Sequence, residues 1–296
     1  MEYDYGKLKE AGKISKEALS YARTVVKPGS KLIDIAEQIE KFIEDKGCKQ
    51  SFPVNLSTNS EAAHYTPEFG DQCVVGEKDV IKVDLGARKD TYLTDCATTV
   101  CLNSEYSKLV EASEKALENA ISLVKAGRKV TDIGTEIERT AKQAGFGVIR
   151  NLGGHGIEQE ELHANVFIPN FGNGDNTQLE EGSVIAIEPF LTTGSGYVTD
   201  GNSLQIFQLA SGNTPRSTDA REAQAIAERE FSTYPFAMRW MIKQMGQEFK
   251  ARKAIAELIT IGNLDTFPVL VEKGNGMVAQ SEKTLIVTKD SCEIVT

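Results

Sequence analysis

VKPGSKLIDIAEQIE, residues 26–40, has a second copy in the chain: VKAGRKVTDIGTEIE, residues 124–138, keeps Val, Lys, Gly, Lys, Asp, Ile, Ile and Glu in register. Self-similarity of this kind marks a duplicated supersecondary unit. Around each copy the apolar spacing predicts the same two elements. A long helix runs into the VKxG loop, over 4–26 and 105–125, and a second amphipathic helix leaves it, over 31–46 and 129–144. Ile35, Ile39, Phe42 and Ile43 recur at the helical period and give the second helix one apolar face. Gly47 and Gly145 follow these helices where glycine commonly ends one.

Outward from the repeat, VIKVDLGARKDTYLTDCATTV (80–100) predicts two strands joined by a polar turn, with an aspartate in each. A hairpin centred on the Lys89-Asp90 step sets Asp84 directly across from Asp95. Aspartate is depleted in strands, and two carboxylates 4 Å apart repel by about 4 kcal/mol at an effective dielectric near 20. The hairpin alone leaves a solvated acidic face and a cation site as equal readings. The strands, however, are duplicated too. DVIKVD (79–84) matches SVIAIE (183–188), and DCATTV (95–100) matches EKTLIV (282–287), so Asp84 pairs with Glu188 and Asp95 with Glu282. A chance solvated face would not be copied in this way, which points to a shared acidic site on a pseudo-twofold axis. Cys96 alternates to the face opposite Asp95 and belongs to the core.

The repeat also exposes an insertion. Asp84 and Asp95 are 11 positions apart, whereas Glu188 and Glu282 are 94 apart. The excess is assigned to a mainly helical subdomain over 192–264, which leaves 1–191 and 265–296 as the main, duplicated domain. Within it, GNSLQIFQLA predicts a strand, and TDAREAQAIAEREF and EFKARKAIAELITIG predict helices, the first capped by Ser217 or Thr218.

Composition narrows the function classes. The chain has 296 residues with 40% apolar and 26% charged content, an ordinary globular balance. A net charge of -10 counts against nucleic acid or an anionic membrane as the main partner. No apolar run approaches the ~18 residues of a membrane span, and the acidic, amphipathic start of the chain is unlike a signal peptide. Five cysteines without a CxxC predict reduced thiols in the cytoplasm. The sequence has no GxSxG, no Walker motif and no GxGxxG opening a helix.

The three histidines all lie in strand connections close to the acids: His64 in SEAAHYTP, and His155 and His163 in NLGGHGIEQEELHA. One imidazole with four carboxylates suits a pair of divalent first-row cations and is too oxygen-rich for a structural zinc site. Two such ions about 3.5–4 Å apart activate water and polarise a carbonyl, which is hydrolase chemistry.

FPVNLSTNSEAAHYTP, IKVDLG…TDCATTV, NLGGHGIEQEELHANVFIPN, IAIEPF, YPFAMRWM and NGMVAQSEKTLIV, in this order over nearly the whole chain, resemble the type II methionine aminopeptidases in their short archaeal form. The resemblance implies the pita-bread α/β fold: duplicated halves around a curved antiparallel sheet, with the insertion that marks type II. It implies excision of the initiator methionine from nascent proteins when the second residue is small. It also implies two divalent ions, with cobalt, manganese, iron and zinc all acceptable. Asp84 would hold one ion, His155 and Glu188 the other, and Asp95 and Glu282 would bridge them. Glu188 would also carry a proton. His64 would meet the scissile nitrogen, His163 the carbonyl oxygen, and Phe52 and Leu162 would line the methionine pocket. Nascent chain termini and the ribosome are the implied partners, in the cytoplasm, and nothing requires more than a monomer.

One departure stands out. The family's Phe-Glu-His-Thr is here Ser281-Glu282-Lys283-Thr284. Strand alternation turns Ser281 and Lys283 away from the Glu282 face, so ligation should survive. Two other readings compete. Prolidase-like aminopeptidases carry an extra N-terminal domain, whereas the repeat here begins almost at residue 1. Proliferation-associated homologues are non-catalytic binding proteins that have lost ligands, whereas all five ligand positions and both further histidines stand here.

Overall fold

Each copy of the repeat contributes a helix pair. In the computed structural model, which describes residues 3–296, α1 spans Tyr5–Val25 and α2 Leu32–Asp45, and their counterparts are α3, Ser107–Ile121, and α4, Val130–Gln143. The loop between the helices is duplicated down to its hydrogen bonds. Gly29 and Gly127 donate to the carbonyls of Val75 and Leu179, both at 2.8 Å, and Leu32 and Val130 donate to Cys73 and Thr177, both at 2.9 Å. Gly47 and Gly145 take positive φ just past α2 and α4, as expected of helix stops.

The apolar faces turn onto strands of their own half. Ile35, Ile39 and Ile43 of α2 join Leu56, Ile81, Val83 and Leu85 in one cluster. Ile133 and Ile137 of α4 join Ile185, Ile187, Leu285 and Val287 in another. Phe42 sits at the edge of the first cluster, stacked on Tyr21 with ring centroids 4.9 Å apart. Cys96 is fully buried in the same cluster.

The sheets are antiparallel throughout the described residues. The first half orders Asn55–Thr58, Val80–Leu85 and Cys96–Cys101 side by side; the second orders Glu161–Pro169, Gly153–Glu158, Val184–Ile187, Lys283–Val287 and Cys292–Ile294. The halves meet along a short antiparallel seam. Ala97 and Glu282 exchange backbone hydrogen bonds. On one side of them, the Thr284 hydroxyl accepts from Asp95 N (2.8 Å) and donates to Asp95 O (2.6 Å); on the other, the Thr99 hydroxyl does the same with Gln280 (2.9 and 2.7 Å). Exchanging the repeat-related positions 95 with 282 and 97 with 284 turns the Asp95/Thr284 contact into the Glu282/Ala97 contact. The pseudo-twofold axis therefore passes through this seam.

The register corrects the first hairpin. The strands are joined through Asp90 and Thr91, with Lys89 paired to Tyr92, so Asp84 lies across from Ala97 rather than Asp95. An even slip of two keeps both carboxylates on one face, where an odd slip would have separated them. Asp95, Glu188 and Glu282 also stand just outside regular strands, at breaks beside Cys96–Cys101, Val184–Ile187 and Lys283–Val287.

Beyond residue 197 a twelve-residue strand, Val198–Leu209, pairs with Leu264–Glu272. Between them lie α5 (Thr218–Ile226), continued by a π-helical turn over Ala227–Phe231, then α6 (Met238–Met245) and α7 (Glu248–Thr260). Ser217 caps α5, its hydroxyl accepting from Ala220 N at 3.0 Å. The sequence patterns did not announce α6, whose eight residues are too few to show a period. No described helix is long and apolar enough to cross a membrane.

Candidate metal centre

The four acids and His155 converge from both sheets beside the seam. Val80–Leu85 carries Asp84 near its end, the break before Cys96–Cys101 carries Asp95, and the second half delivers Glu188 and Glu282 just beyond its own strands. His155 comes from Gly153–Glu158, where it pairs with Ala186 of the neighbouring strand. That strand packs so closely that a Cβ on Gly154 would stand 2.2 Å from the Ala186 carbonyl oxygen, so the glycine before His155 is a steric necessity.

Ligand-type atoms of Asp95, His155 and Glu282 lie within 4.8 Å of one another, and all three residues are buried. His155 Nε2 is 3.4 Å from Asp95 Oδ2 and 3.8 Å from Glu188 Oε1. Its Nδ1 faces the Gly156 carbonyl oxygen at 3.0 Å. A carbonyl only accepts, so Nδ1 carries a proton and Nε2 is aimed at the acids. Asp84 joins through Gln280, whose amide nitrogen reaches Asp84 Oδ2 at 3.4 Å and Glu282 Oε2 at 3.2 Å.

Electrostatics leave this cluster unsatisfied. Burial, followed by the Asp95 charge, holds the Asp84 carboxyl well above the usual range. Burial and then Asp95 do the same to Glu188 and Glu282. Asp84 Oδ1, Asp95 Oδ1 and Glu282 Oε1 are buried with no hydrogen-bond partner. Buried acceptors without partners are costly, and three of them in a cluster that includes one imidazole are what a divalent cation would satisfy.

A cavity of about 410 Å³ opens onto the cluster. Asp84, Asp95, His155 and Glu188 line it, while Glu282 stands behind them. His64 and His163 line the same cavity. The His163 ring meets His155 edge-on, with centroids 4.4 Å apart. His64 holds a left-handed backbone, φ 66°, and its Nδ1 faces the Pro268 carbonyl oxygen at 3.2 Å. Desolvation by the surrounding walls lowers both imidazoles, His163 to about 3 with help from His155 and His64, so both are neutral near pH 7. Phe52 and Leu162 are buried in one apolar cluster with Tyr92 and Tyr234 and line the cavity.

The family model of metallopeptidase family M24 matches residues 6–289. The chain belongs to this family. Among M24 proteins it is 45% identical over 294 residues to the methionine aminopeptidase of Pyrococcus horikoshii, with 99% of each chain covered. It is 40% identical to that of Saccharolobus solfataricus, covering 100% of this chain and 98% of the relative. In fold it resembles a thermophilic Arx1, at 22% identity and TM-score 0.85 over 98% of this chain and 90% of that one. M24 proteins are metallopeptidases, and the orphaned oxygens beside His155 fit a divalent metal ion.

Phe52, His64, Asp84, Asp95, His155, Leu162, His163 and Glu188 all line this cavity, and Glu282 lies with Asp95 and His155. Ser281 turns away as alternation requires, its hydroxyl 2.8 Å from that of Ser113 on α3, and Lys283 lies with it on the far side of the seam. Three neighbours went unnoticed. Gln280 links two acids, and its position two residues before Glu282 on one strand face was the available signal. Asn55, directly across from Asp84, lines the cavity with its Oδ1 buried and unpartnered. Phe267 packs edge-on against His64 at 5.8 Å, and nothing local in the sequence points to it.

Proposed function

We propose that this metallopeptidase removes the N-terminal methionine from polypeptides whose second residue is small, with two divalent ions held by Asp84, Asp95, His155, Glu188 and Glu282. The observation that carries the reading is that Asp84, Asp95 and Glu282 each keep a buried carboxylate oxygen without a partner, in a cluster where His155 Nε2 lies 3.4 Å from Asp95 Oδ2, beside a cavity lined by Phe52 and Leu162. Bound there, the ions would supply an activated water and polarise the peptide carbonyl.

The remaining roles fall to the protein's own side chains. Phe52 and Leu162 bury the methionine side chain, a contribution of about 1.5–3 kcal/mol for a fully buried residue of that size. His64 donates through Nδ1 to Pro268, which leaves Nε2 as an acceptor for the scissile N–H. Neutral His163 donates to the carbonyl oxygen as charge develops on it. Glu188, a carboxylate that lines the cavity, takes a proton from water and passes it to the leaving amine.

The preference for a small second residue rests on the resemblance of the chain's motifs to the type II methionine aminopeptidases. The encounter with nascent chains at the ribosome rests on the same resemblance; the placement in the cytoplasm rests on the unpaired cysteine spacing, and nothing requires more than a monomer. Residues 192–264 are assigned to an insertion subdomain. The test is hydrolysis of Met-Ala-Ser after chelation and after return of each candidate metal, beside the amine-blocked peptide. Cleavage of the blocked peptide, or faster cleavage of Xaa-Pro peptides with varied first residues, would overturn the proposal.

A further inference from the structure

Arg239, on α6, is a fully buried arginine. Its guanidinium bonds to Glu40 of α2, donates to the Thr66 hydroxyl at 2.6 Å and donates to the Pro67 carbonyl at 3.1 Å. Trp240 Nε1 donates to the other Glu40 oxygen at 3.0 Å, and Val54 N donates to the first at 3.3 Å. The Thr66 hydroxyl passes its own proton to the Val54 carbonyl at 2.8 Å. One buried ion pair therefore ties α6 to two segments that each carry cavity residues: Phe52 and Asn55 on one, His64 on the other.

Stability is a poor reason to keep such a pair. Apolar side chains of similar volume often replace a buried ion pair at no cost. What apolar groups cannot supply is direction, and the planar fork of arginine fixes a hydroxyl and a carbonyl at set angles. The residue that needs direction is two positions away. His64 stands in the left-handed region, which disfavours side chains and persists only where the surroundings over-determine it. Its ring is tied to Pro268, on the return strand Leu264–Glu272, and the chain just beyond it is tied to Arg239.

We propose that Arg239 is a positioning residue that holds His64 in its cavity-facing, left-handed conformation, so that α6 and the return strand set the geometry of a histidine encoded in the first half. The inference rests on the assignment of His64 to the scissile peptide. Its signature is coupling, because a residue that acts through His64 has no effect on turnover once the imidazole is gone.

The experiment compares kcat, KM, bound metal and Tm on Met-Ala-Ser. Wild type and His64→Ala are each measured alone, with the charge-free pair Glu40→Gln/Arg239→Met, and with Thr66→Val. The pair is expected to lower kcat about tenfold in the wild-type background, with metal content unchanged, and to add no loss in the His64→Ala background. Thr66→Val should show the same pattern at smaller amplitude, and it carries the test if the double replacement fails to fold. Equal losses in both backgrounds, unchanged kcat in the wild-type background, or loss of metal overturns the positioning role. An inactive wild type, or full kcat in His64→Ala, instead removes the functional reading, and this inference with it.

Discussion

The two halves solve one problem in two ways. In the first, Asp84 and Asp95 are joined by a tight hairpin whose register staggers them by two residues. In the second, Ile187 pairs with Lys283, so the next rung sets Glu188 directly across from Glu282. Nothing like a two-residue turn joins those strands. The chain instead leaves after Phe190–Thr192, runs through α5–α7 and returns along Leu264–Glu272. Turn chemistry fixes the first register; closure of the base of a long excursion must fix the second. Both offsets are even, so both keep their acids on one face. The duplicated parts thus supply ligand-type acids, and the unduplicated parts supply Pro268 and Phe267, which contact His64, and Arg239, which bonds to Thr66 and Pro67 just beyond it.

The sharpest way to break that symmetry is to remove one acid at the seam. Asp95→Asn should abolish most turnover, by about a thousandfold or more if several kcal/mol of metal stabilisation is lost. Thermal stability of the metal-free protein should hold or rise, because Asp95 raises the carboxyls of Asp84, Glu188 and Glu282 by repulsion. Assays of Met-Ala-Ser cleavage and of Tm after chelation check the two halves of this expectation. Full turnover in the variant would end the two-metal reading.

The histidines separate scaffold from chemistry at the next level. His163→Ala should lower kcat about a hundred- to a thousandfold with metal content intact, the usual worth of a donor aimed at a developing oxyanion. His155→Ala should act through metal affinity, so that activity recovers as metal is added. Measuring metal content beside kcat distinguishes them. A His163→Ala protein that keeps its turnover and merely melts earlier would make that histidine a wall of the cavity and no more.

How much of this was legible in the sequence follows the same division. The repeat, the helix pairs and the one-sided acids were readable because period and alternation are local properties. The stagger of Asp84 against Asp95 was not, because register depends on which two residues turn, and Asp90 takes a positive φ that the sequence does not display. Gln280 was within reach, two positions from Glu282 on one strand face. Arg239 and Glu40 were not, since 199 residues separate them and each alone resembles an ordinary surface charge.

A smaller effect tests what closes the second hairpin. The Glu272 carboxylate accepts from the Ser195 hydroxyl (2.7 Å) and the Gly196 amide (3.0 Å) on the outgoing chain, and from the Gly274 (2.7 Å) and Gly276 (2.8 Å) amides on the return. It thereby does for the excursion what the Asp90-Thr91 turn does for the first half. Burial pushes this carboxyl up, but the hydrogen bonds, Ser195 foremost, outweigh it and hold the group below its ordinary range. A depressed carboxyl contributes stability that is full above its unfolded value near 4.3 and is lost as pH falls through the folded value. Glu272→Gln should therefore cost about 2 kcal/mol at pH 7, and the gap to wild type should narrow below about pH 4. Denaturant titrations at both pH values check the sign. A gap that widens in acid would mean that the carboxylate charge is not what closes the loop.

The smallest effect examines the duplication itself. Gly29 and Gly127 begin equivalent loops with φ 82° and 76°, and a Cβ at either would meet nothing within 4 Å. Any cost of alanine there is a backbone cost, because no neighbour has to move. The left-handed conformation disfavours an L side chain by about 1–2 kcal/mol, offset in part by the lower entropy of the unfolded alanine chain. Gly29→Ala and Gly127→Ala should then each destabilise by about 1 kcal/mol. They should also agree with each other, since both amides donate to a facing carbonyl at 2.8 Å. Turnover on Met-Ala-Ser should be unchanged in both, because neither loop lines the cavity. Agreement within about 0.5 kcal/mol, the usual limit for independent sites, supports two physically equivalent scaffolds. A clear disparity would show that the copies share a sequence pattern but not a load, and that the excursion stabilises the second loop in a way the first has to do without.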